Sequence, residues 1–285
     1  MSRIAYVNGR YLPRSDAAVH IEDRGYQFAD GVYEVCEVRG GRLIDERRHM
    51  ERLLRSLAEL RIPLPMPLTA LSIVMHEVVR RNGVRNGIVY LQVTRGVARR
   101  DHAFPPAGTK PAVVITANRL DQGKNETMAA DGIAVITLPD NRWDRVDIKS
   151  IALLPNVLAK QQAREQGARE AWYVAADGTV TEGSSSNAWI VTQDNAVVTR
   201  QADHAILRGI TRTVLLDVLK SHNLTLRERP FTVEEAQGAR EAFITSASQI
   251  VMPVVMIDGR PVGNGAPGLV ATALRRDFHR FAEES

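Results

Sequence analysis

Only five residues of this chain are lysines, Lys110, Lys124, Lys149, Lys160 and Lys220, whereas arginine supplies the remaining basic side chains. Lys110 precedes a proline, Lys124 lies in a polar stretch, and Lys160 and Lys220 fall on the polar faces of helical patterns, so all four read as solvated charges. Lys149 differs: it follows Val146-Asp147-Ile148 and precedes Ser150-Ile151-Ala152-Leu153-Leu154. Apolar neighbours on both sides predict partial desolvation. Desolvation lowers an amine pKa and makes the amine a better nucleophile toward an aldehyde. The plainer alternative is a strand-end lysine that reaches back to water.

Four further segments carry side chains suited to anions or polar rings. Thr181-Glu182-Gly183-Ser184-Ser185-Ser186-Asn187 combines one acid with close backbone approach and small donors. It fits a phosphate or a polar ring, and equally a surface loop. Gly209-Ile210-Thr211 opens a helical pattern whose free N–H groups favour an anion, although Thr211 can also serve as a simple cap. Thr245-Ser246-Ala247-Ser248 follows a strand pattern with a second set of donors. In Arg100-Asp101-His102, alternate residues of an extended chain point the same way, so Arg100 and His102 can converge on one carboxylate. Arg52 sits beside the apolar pair Leu53-Leu54 on a helix and is otherwise a solvent-facing arginine.

The elements that must position these residues alternate in type. Strands are predicted at Ile4–Val7, Tyr33–Val38, Ile88–Thr94, Ala112–Ala117, Ile133–Leu138, Ala171–Ala175, Val180–Val191, Glu241–Thr245 and Val251–Ile257. Helices are predicted through Met50, Leu53, Leu54, Leu57 and Leu60, then over Leu68–Arg81, Leu153–Gln166 and Thr211–Lys220, and at the C-terminus through Leu274, Phe278 and Phe281. The polar stretch from Asn118 to Ala130 reads as a linker. The expectation is a mixed α/β (α+β) protein with a smaller N-terminal domain over 1–118, a linker over 119–130 and a larger C-terminal domain over 131–285.

Composition narrows the class. With 285 residues, 44% hydrophobic and 25% charged, the chain has the make-up of a globular protein. The net charge is +4, and the basic residues are scattered without interleaved aromatics, which argues against nucleic-acid binding. A single cysteine, Cys36, excludes a disulfide framework and any cysteine-rich metal site, and reads as a small core filler. No stretch has the length of a membrane span and no secretory pattern opens the chain, so the expected location is cytoplasmic, with no membrane partner.

Taken in register, four motifs resemble the fold-type IV enzymes that depend on pyridoxal 5'-phosphate (PLP). They are Glu22-Asp23-Arg24-Gly25-Tyr26-Gln27-Phe28-Ala29-Asp30-Gly31-Val32-Tyr33-Glu34, Asp147-Ile148-Lys149-Ser150, Thr181 to Asn187, and Gly209-Ile210-Thr211-Arg212. That family includes D-amino-acid aminotransferases, branched-chain aminotransferases and aminodeoxychorismate lyases, and the likeness runs over nearly the whole chain toward the first group. The resemblance implies two domains with the active site between them, and a homodimer with shared active sites. It implies that Lys149 forms the Schiff base with PLP and shuttles the proton, and that Glu182 pairs with the pyridine nitrogen. It further implies that Arg52, Ile210 and Thr211, with the backbone of Ser246 and Ala247, hold the phosphate. Leu207 packs near the ring, Arg142 orients the O3′ side, and His49 supports Arg52. By the same resemblance, Tyr33, Arg100 and His102 are expected to form the trap for the substrate α-carboxylate, the Arg-x-His part crossing the dimer interface. The implied substrates are D-alanine, D-glutamate or D-aspartate, with 2-oxoglutarate or pyruvate as acceptor. The branched-chain L-aminotransferase and the lyase share Lys149 and Glu182, and the former is expected to lack the Arg100/His102 pair. Two positions depart from the family pattern: Ala29 where glycine is frequent, and Ala247 where a threonine hydroxyl is common.

Overall fold

Alternating burial along three long strands builds the first half of the fold. In the computed structural model, which describes residues 4–285, β3 (Gly31–Arg39), β5 (Gly87–Thr94) and β6 (Ala112–Arg119) bury every second residue. Such a strand presents one face to a core and the other to a wetter surface. With β1 (Ile4–Val7), β2 (Arg10–Pro13) and β4 (Arg42–Leu43) they form an antiparallel sheet in the order β2-β1-β6-β5-β3-β4. Two amphipathic helices, α2 (Glu46–Glu59) and α3 (Leu68–Arg81), cover its apolar face. Val32, Cys36, Val89, Leu91 and Ile115 from the strands pack there with Leu53, Leu57, Leu71 and Met75 from the helices. The short helix α1 (Arg24–Phe28) is capped by the Asp23 carboxylate, which accepts from Gly25 N–H at 2.8 Å. It ends at Ala29, with φ 55° and ψ 29°. That left-handed conformation is the one glycine adopts without a Cβ penalty, so Ala29 carries a small backbone cost there.

The second unit is a nine-stranded sheet. Its strands are β7 (Ile133–Pro139), β8 (Glu170–Val174), β9 (Val180–Gly183), β10 (Asn187–Val191), β11 (Val197–Thr199), β12 (Leu226–Glu228), β13 (Glu241–Ser246), β14 (Ile250–Ile257) and β15 (Arg260–Pro261). They run in the order β12-β11-β10-β13-β14-β7-β8-β9, with β15 on β14. Strand β10 is buried along its whole length, as expected when both faces of a sheet are covered. On one face Trp189, Phe243 and Val251 pack with α6 (Ile210–Ser221) and α8 (Leu269–Asp277). On the other, Trp172, Ile190, Ile244 and Met252 pack around Phe231. The remaining helices are α4 (Gln122–Asp131), α5 (Leu154–Glu165) and α7 (Val233–Gln237).

The mixed α/β expectation is borne out, and the structure departs from the sequence reading in three places. The polar stretch read as a linker contains α4, a full helix with Ala129 buried. The strand read as Val180–Val191 is two strands, β9 and β10, separated by a turn at Ser184–Ser186. The first compact unit takes in the chain up to Asp121 and also Ile148–Ala152 and Glu283–Ser285, two segments that the reading in sequence order assigned to the later domain. Both segments return by backbone pairing that composition does not signal: Ser150 bridges Val32, and Ser285 exchanges hydrogen bonds with Leu43. Among the described residues, no helix is long and apolar enough to cross a membrane.

The docking of Ile148–Ala152 depends on a glycine. Ile151 N–H donates to the Gly31 carbonyl at 3.1 Å. A Cβ at Gly31 would lie 2.7 Å from the Val93 carbonyl oxygen and 3.1 Å from Ile151 Cδ1. Gly31→Ala must therefore displace β5 or the Lys149 segment. We expect a loss of about 1–3 kcal/mol in stability, measured by denaturant unfolding; an unchanged midpoint would show that the segment docks with room to spare.

Candidate functional site

In the first unit, α2 brings three polar side chains to one stripe, His49, Arg52 and Ser56, at the spacing of successive helical turns. His49 and Arg52 converge on Glu34. Arg52 Nε and Nη2 donate to the two Glu34 oxygens at 2.8 Å each, and His49 Nδ1 lies 2.7 Å from Oε2. Burial alone would raise the Glu34 carboxyl, but the facing Arg52 guanidinium and the His49 hydrogen bond override it and hold it at about 2. Burial pushes the His49 ring down. The neutral ring then donates through Nδ1–H, since an ionised carboxylate only accepts. Sequence reading gave Glu34 no role, yet a signal was present. Val32, Glu34, Cys36 and Val38 are alternating buried positions of β3, and an acid on the apolar face of a strand needs a partner.

Lys149 is anchored to the same elements. Its N–H donates to Ser56 Oγ at 3.3 Å, and its carbonyl accepts from Tyr33 N–H at 3.0 Å. The half-buried amine lies 4.1 Å from the centroid of the Tyr33 ring, which stacks on Tyr90. Among the described residues, Lys149 has no acidic partner, unlike Lys160 and Lys220, which pair with Glu170 and Asp217. Arg100 and His102 are exposed, and each contacts the ring of Phe28. The structure thus brings Lys149 to Tyr33, while gathering the other two members of the expected trap elsewhere on this unit.

In the second unit Glu182 is the centre. Its Oε1 accepts from Arg142 Nη1 at 2.5 Å, and its Oε2 from Asn187 Nδ2 at 3.0 Å and Leu207 N–H at 3.1 Å. Arg142 is shared: it also donates to both oxygens of Asp140 and to the Ala205 carbonyl, and lies over the Tyr173 ring. Burial pushes the Glu182 carboxyl up to about 7, and Arg142 only partly offsets it. Asn187 also donates to the Leu207 carbonyl, and its Oδ1 lies where a Cβ at Gly209 would fall, at 2.2 Å. Gly209 is therefore required where the chain turns into α6, whose first residues, Ile210 and Thr211, are buried. No side chain caps that helix, so its first N–H groups remain available to an anion. At the end of β13 the buried Ser246 Oγ has no hydrogen-bond partner, and Ala247 follows it in the turn.

The serine run has a different task from the one its composition suggested. Ser184, Ser185 and Ser186 all donate through Oγ to the buried carboxylate of Glu170, the last two at 2.9 and 3.1 Å. Lys160 completes that cluster at 3.0 Å, so it is not the solvated charge its helix face predicted. The serines shape the turn that separates Glu182 from Asn187. Nothing local in the sequence points to Glu170; the signal is through space. Among the described residues, no group of acids, histidines or cysteines could hold a metal ion.

Taken unit by unit, the second offers groups that fit a phosphate and a ring nitrogen, and the first offers an amine that fits a carbonyl. An uncapped helix start and the unpartnered Ser246 hydroxyl suit the phosphate, a carboxyl poised near neutrality suits a ring nitrogen, and an amine without an acid suits the carbonyl. Because the folded Glu182 value lies above its usual 4.5, the folded state binds more protons than the unfolded one between those values. Its contribution to stability is full below about 4.5 and is lost as pH rises through about 7. In protein stripped of bound small molecules, Glu182→Gln should gain on the parent across that window by up to about 3 kcal/mol. Urea unfolding at several pH values measures it, and a pH-independent difference would reject the raised value.

Comparison with known proteins agrees with this chemistry. Residues 31–257 match the amino-transferase class IV family. The chain is 45% identical over 261 residues to the D-alanine aminotransferase of Bacillus licheniformis, spanning 92% of this chain and 90% of that one. It is 39% identical over 278 residues to the D-alanine aminotransferase of Staphylococcus haemolyticus, spanning 98% and 97%. Among solved structures it resembles a T.th. branched-chain amino acid aminotransferase with pyridoxamine 5'-phosphate, at 26% identity and a TM-score of 0.90, covering 98% of this chain and 94% of that one. The chain belongs to the class IV aminotransferases.

Proposed function

We propose that this chain is a PLP-dependent aminotransferase of D-amino acids, with D-alanine, D-glutamate or D-aspartate as donors and 2-oxoglutarate or pyruvate as acceptors. The observation that carries the substrate reading is the match to D-alanine aminotransferases across at least nine-tenths of both chains. The half-buried Lys149 amine, free of any acidic partner among the described residues, supports the chemistry.

When bound, PLP supplies a carbonyl for amine condensation and a ring that accepts the electron pair left behind when a proton departs from Cα. The chain's own residues do the rest. Lys149 would hold the cofactor at its carbonyl and, once a substrate amine has replaced it there, would carry the Cα proton from its place beside the Tyr33 ring. Glu182 shares a proton with the ring nitrogen, with Arg142 and Asn187 fixing the direction of its oxygens. Ile210 and Thr211 at the start of α6, with Ser246 and Ala247, would bind the phosphate, and Arg52 of the first unit is the arginine we assign to it. Leu207, whose N–H is bonded to Glu182, would flank the ring. Tyr33, Arg100 and His102 capture the substrate carboxylate, the arginine through a two-pronged hydrogen bond, and orient the Cα–H bond toward Lys149.

Arg100 and His102 stand exposed on a loop bordered by exposed apolar side chains, Ile21, Tyr26 and Val97. This supports a homodimer in which the loop completes the site of the other copy. A cytoplasmic location suits the single cysteine, Cys36, buried and unpaired.

The visible spectrum of the purified protein tests the reading. D-alanine should convert the cofactor's visible band and L-leucine should leave it. Conversion by L-leucine alone would transfer the enzyme to the branched-chain group, and turnover without any 2-oxo acid would indicate a lyase. Lys149→Ala should lose the lysine-linked band and slow turnover by about a thousandfold or more. Ala247→Thr adds a hydroxyl at the phosphate turn and should tighten cofactor retention by about 1 kcal/mol, close to fivefold in Kd; equal PLP dissociation in the two proteins would remove Ala247 from the phosphate cup.

A further inference from the structure

The loop after β5 is fastened by aromatic rings beneath cations. Phe28, the last residue of α1, has Arg100 Cζ 4.6 Å from its ring centroid and the His102 ring at 5.4 Å, tilted by 50°. Arg24, one helical turn earlier, lies over the same ring at 4.9 Å. Arg24 is buried, pairs with Asp30 at 2.8 Å and donates from Nη1 to the Asp101 carbonyl at 2.6 Å, between the two residues that touch the ring. Farther along, Phe104 lies against Arg95 at 3.8 Å and Arg61 at 4.6 Å. Arg95 is itself fixed by Asp30 and by the carbonyls of Leu60 and Arg61. The loop backbone is thus held by Arg24 and by Phe104. Phe28 contributes something separate: it sets where the Arg100 and His102 side chains lie.

An exposed arginine samples many rotamers, and ordering it on a ligand weakens binding. A ring whose negative face receives the guanidinium reduces that cost in advance. A second aromatic contact holds the His102 ring against the same Phe28 ring, so both groups are ordered by one side chain.

We propose that Phe28 is a positioning residue that pre-orders Arg100 and His102 for the substrate carboxylate and thereby sets the KM of the enzyme. The inference rests on the assignment of Arg100 and His102 to carboxylate capture in the proposed function. The role of Phe28 is exercised through the two side chains on its ring. Because Arg24 and Phe104 keep the loop backbone in place, removing the ring separates side-chain order from loop folding.

The test is steady-state kinetics of the full-length holoenzyme with D-alanine and 2-oxoglutarate, for the parent, Phe28→Leu, Phe28→Tyr and Arg100→Ala. Phe28→Leu fills the same space without a ring face; Phe28→Met serves if the leucine variant does not fold. The expected result is a rise of about tenfold in KM for D-alanine in Phe28→Leu, the scale of one or two lost cation–ring contacts, with kcat and the cofactor's visible spectrum kept. Phe28→Tyr, which keeps the ring, should restore the parent KM. An unchanged KM in Phe28→Leu alongside a raised KM in Arg100→Ala would overturn the role of Phe28 and leave the carboxylate trap standing. An unchanged KM in both would overturn the trap and the inference together. A loss of kcat and cofactor band in Phe28→Leu that Phe28→Tyr does not rescue would make the ring a packing element and equally reject the proposal.

Discussion

A single buried carboxylate organises the first unit. Glu34 stands on the apolar face of β3, where an unpaired charge would be prohibitive. Its neutralisation by Arg52, with His49 on the second oxygen, fixes both the angle and the register of α2 against the sheet. One face of α2 is committed in this way, and Ser56, a turn farther on, then receives the backbone of Lys149. The position of the amine therefore depends on a charge that never meets solvent. A buried ion pair contributes little net stability after desolvation; here it sets which turn of α2 faces Glu34, beside the apolar contacts of Leu53 and Leu57.

Two buried glutamates, each facing an arginine, show how partner geometry decides protonation. Arg52 gives two donors to Glu34, which is held at about 2. Arg142 gives Glu182 one donor and spends Nε and Nη2 on Asp140, whose own negative charge opposes ionisation of Glu182. Desolvation is the largest influence on both groups. The first carboxylate stays ionised and structural, while the second is left near neutrality and able to exchange a proton. An acid placed opposite a ring nitrogen needs that property.

The same economy of charge appears on the surface loop. Asp30 is shared between Arg24 and Arg95, and these two arginines then fix the Asp101 carbonyl and the Phe104 ring. A polar loop that composition alone would leave mobile is tied to α1 and to the chain following α2, while Arg100 and His102 on it stay exposed. Loops that carry ligand-binding groups on a rigid support lose less entropy when the ligand arrives.

Much of this was readable from residue order. The period-2 pattern of Ile88–Thr94 and Ala112–Ala117 and the helical spacing of Met50, Leu53 and Leu57 set the elements, because they depend on neighbours a few residues apart. Lys149 could be singled out by its apolar flanks, and Glu182 by the small residues around it. What residue order could not supply were pairings between distant segments. That Ser184–Ser186 turn inward to Glu170, that Arg52 answers Glu34, that Lys160 is paired, and that Ile148–Ala152 joins the first sheet were settled by packing. The polar residues of Gln122–Asp131 also hid a helix, because its one buried residue, Ala129, leaves almost no apolar stripe to detect. Local periodicity fixes which face of an element seeks a core. The partner of a buried charge is chosen only when the chain has folded, since the cost of leaving that charge unpaired exists only once water has been excluded.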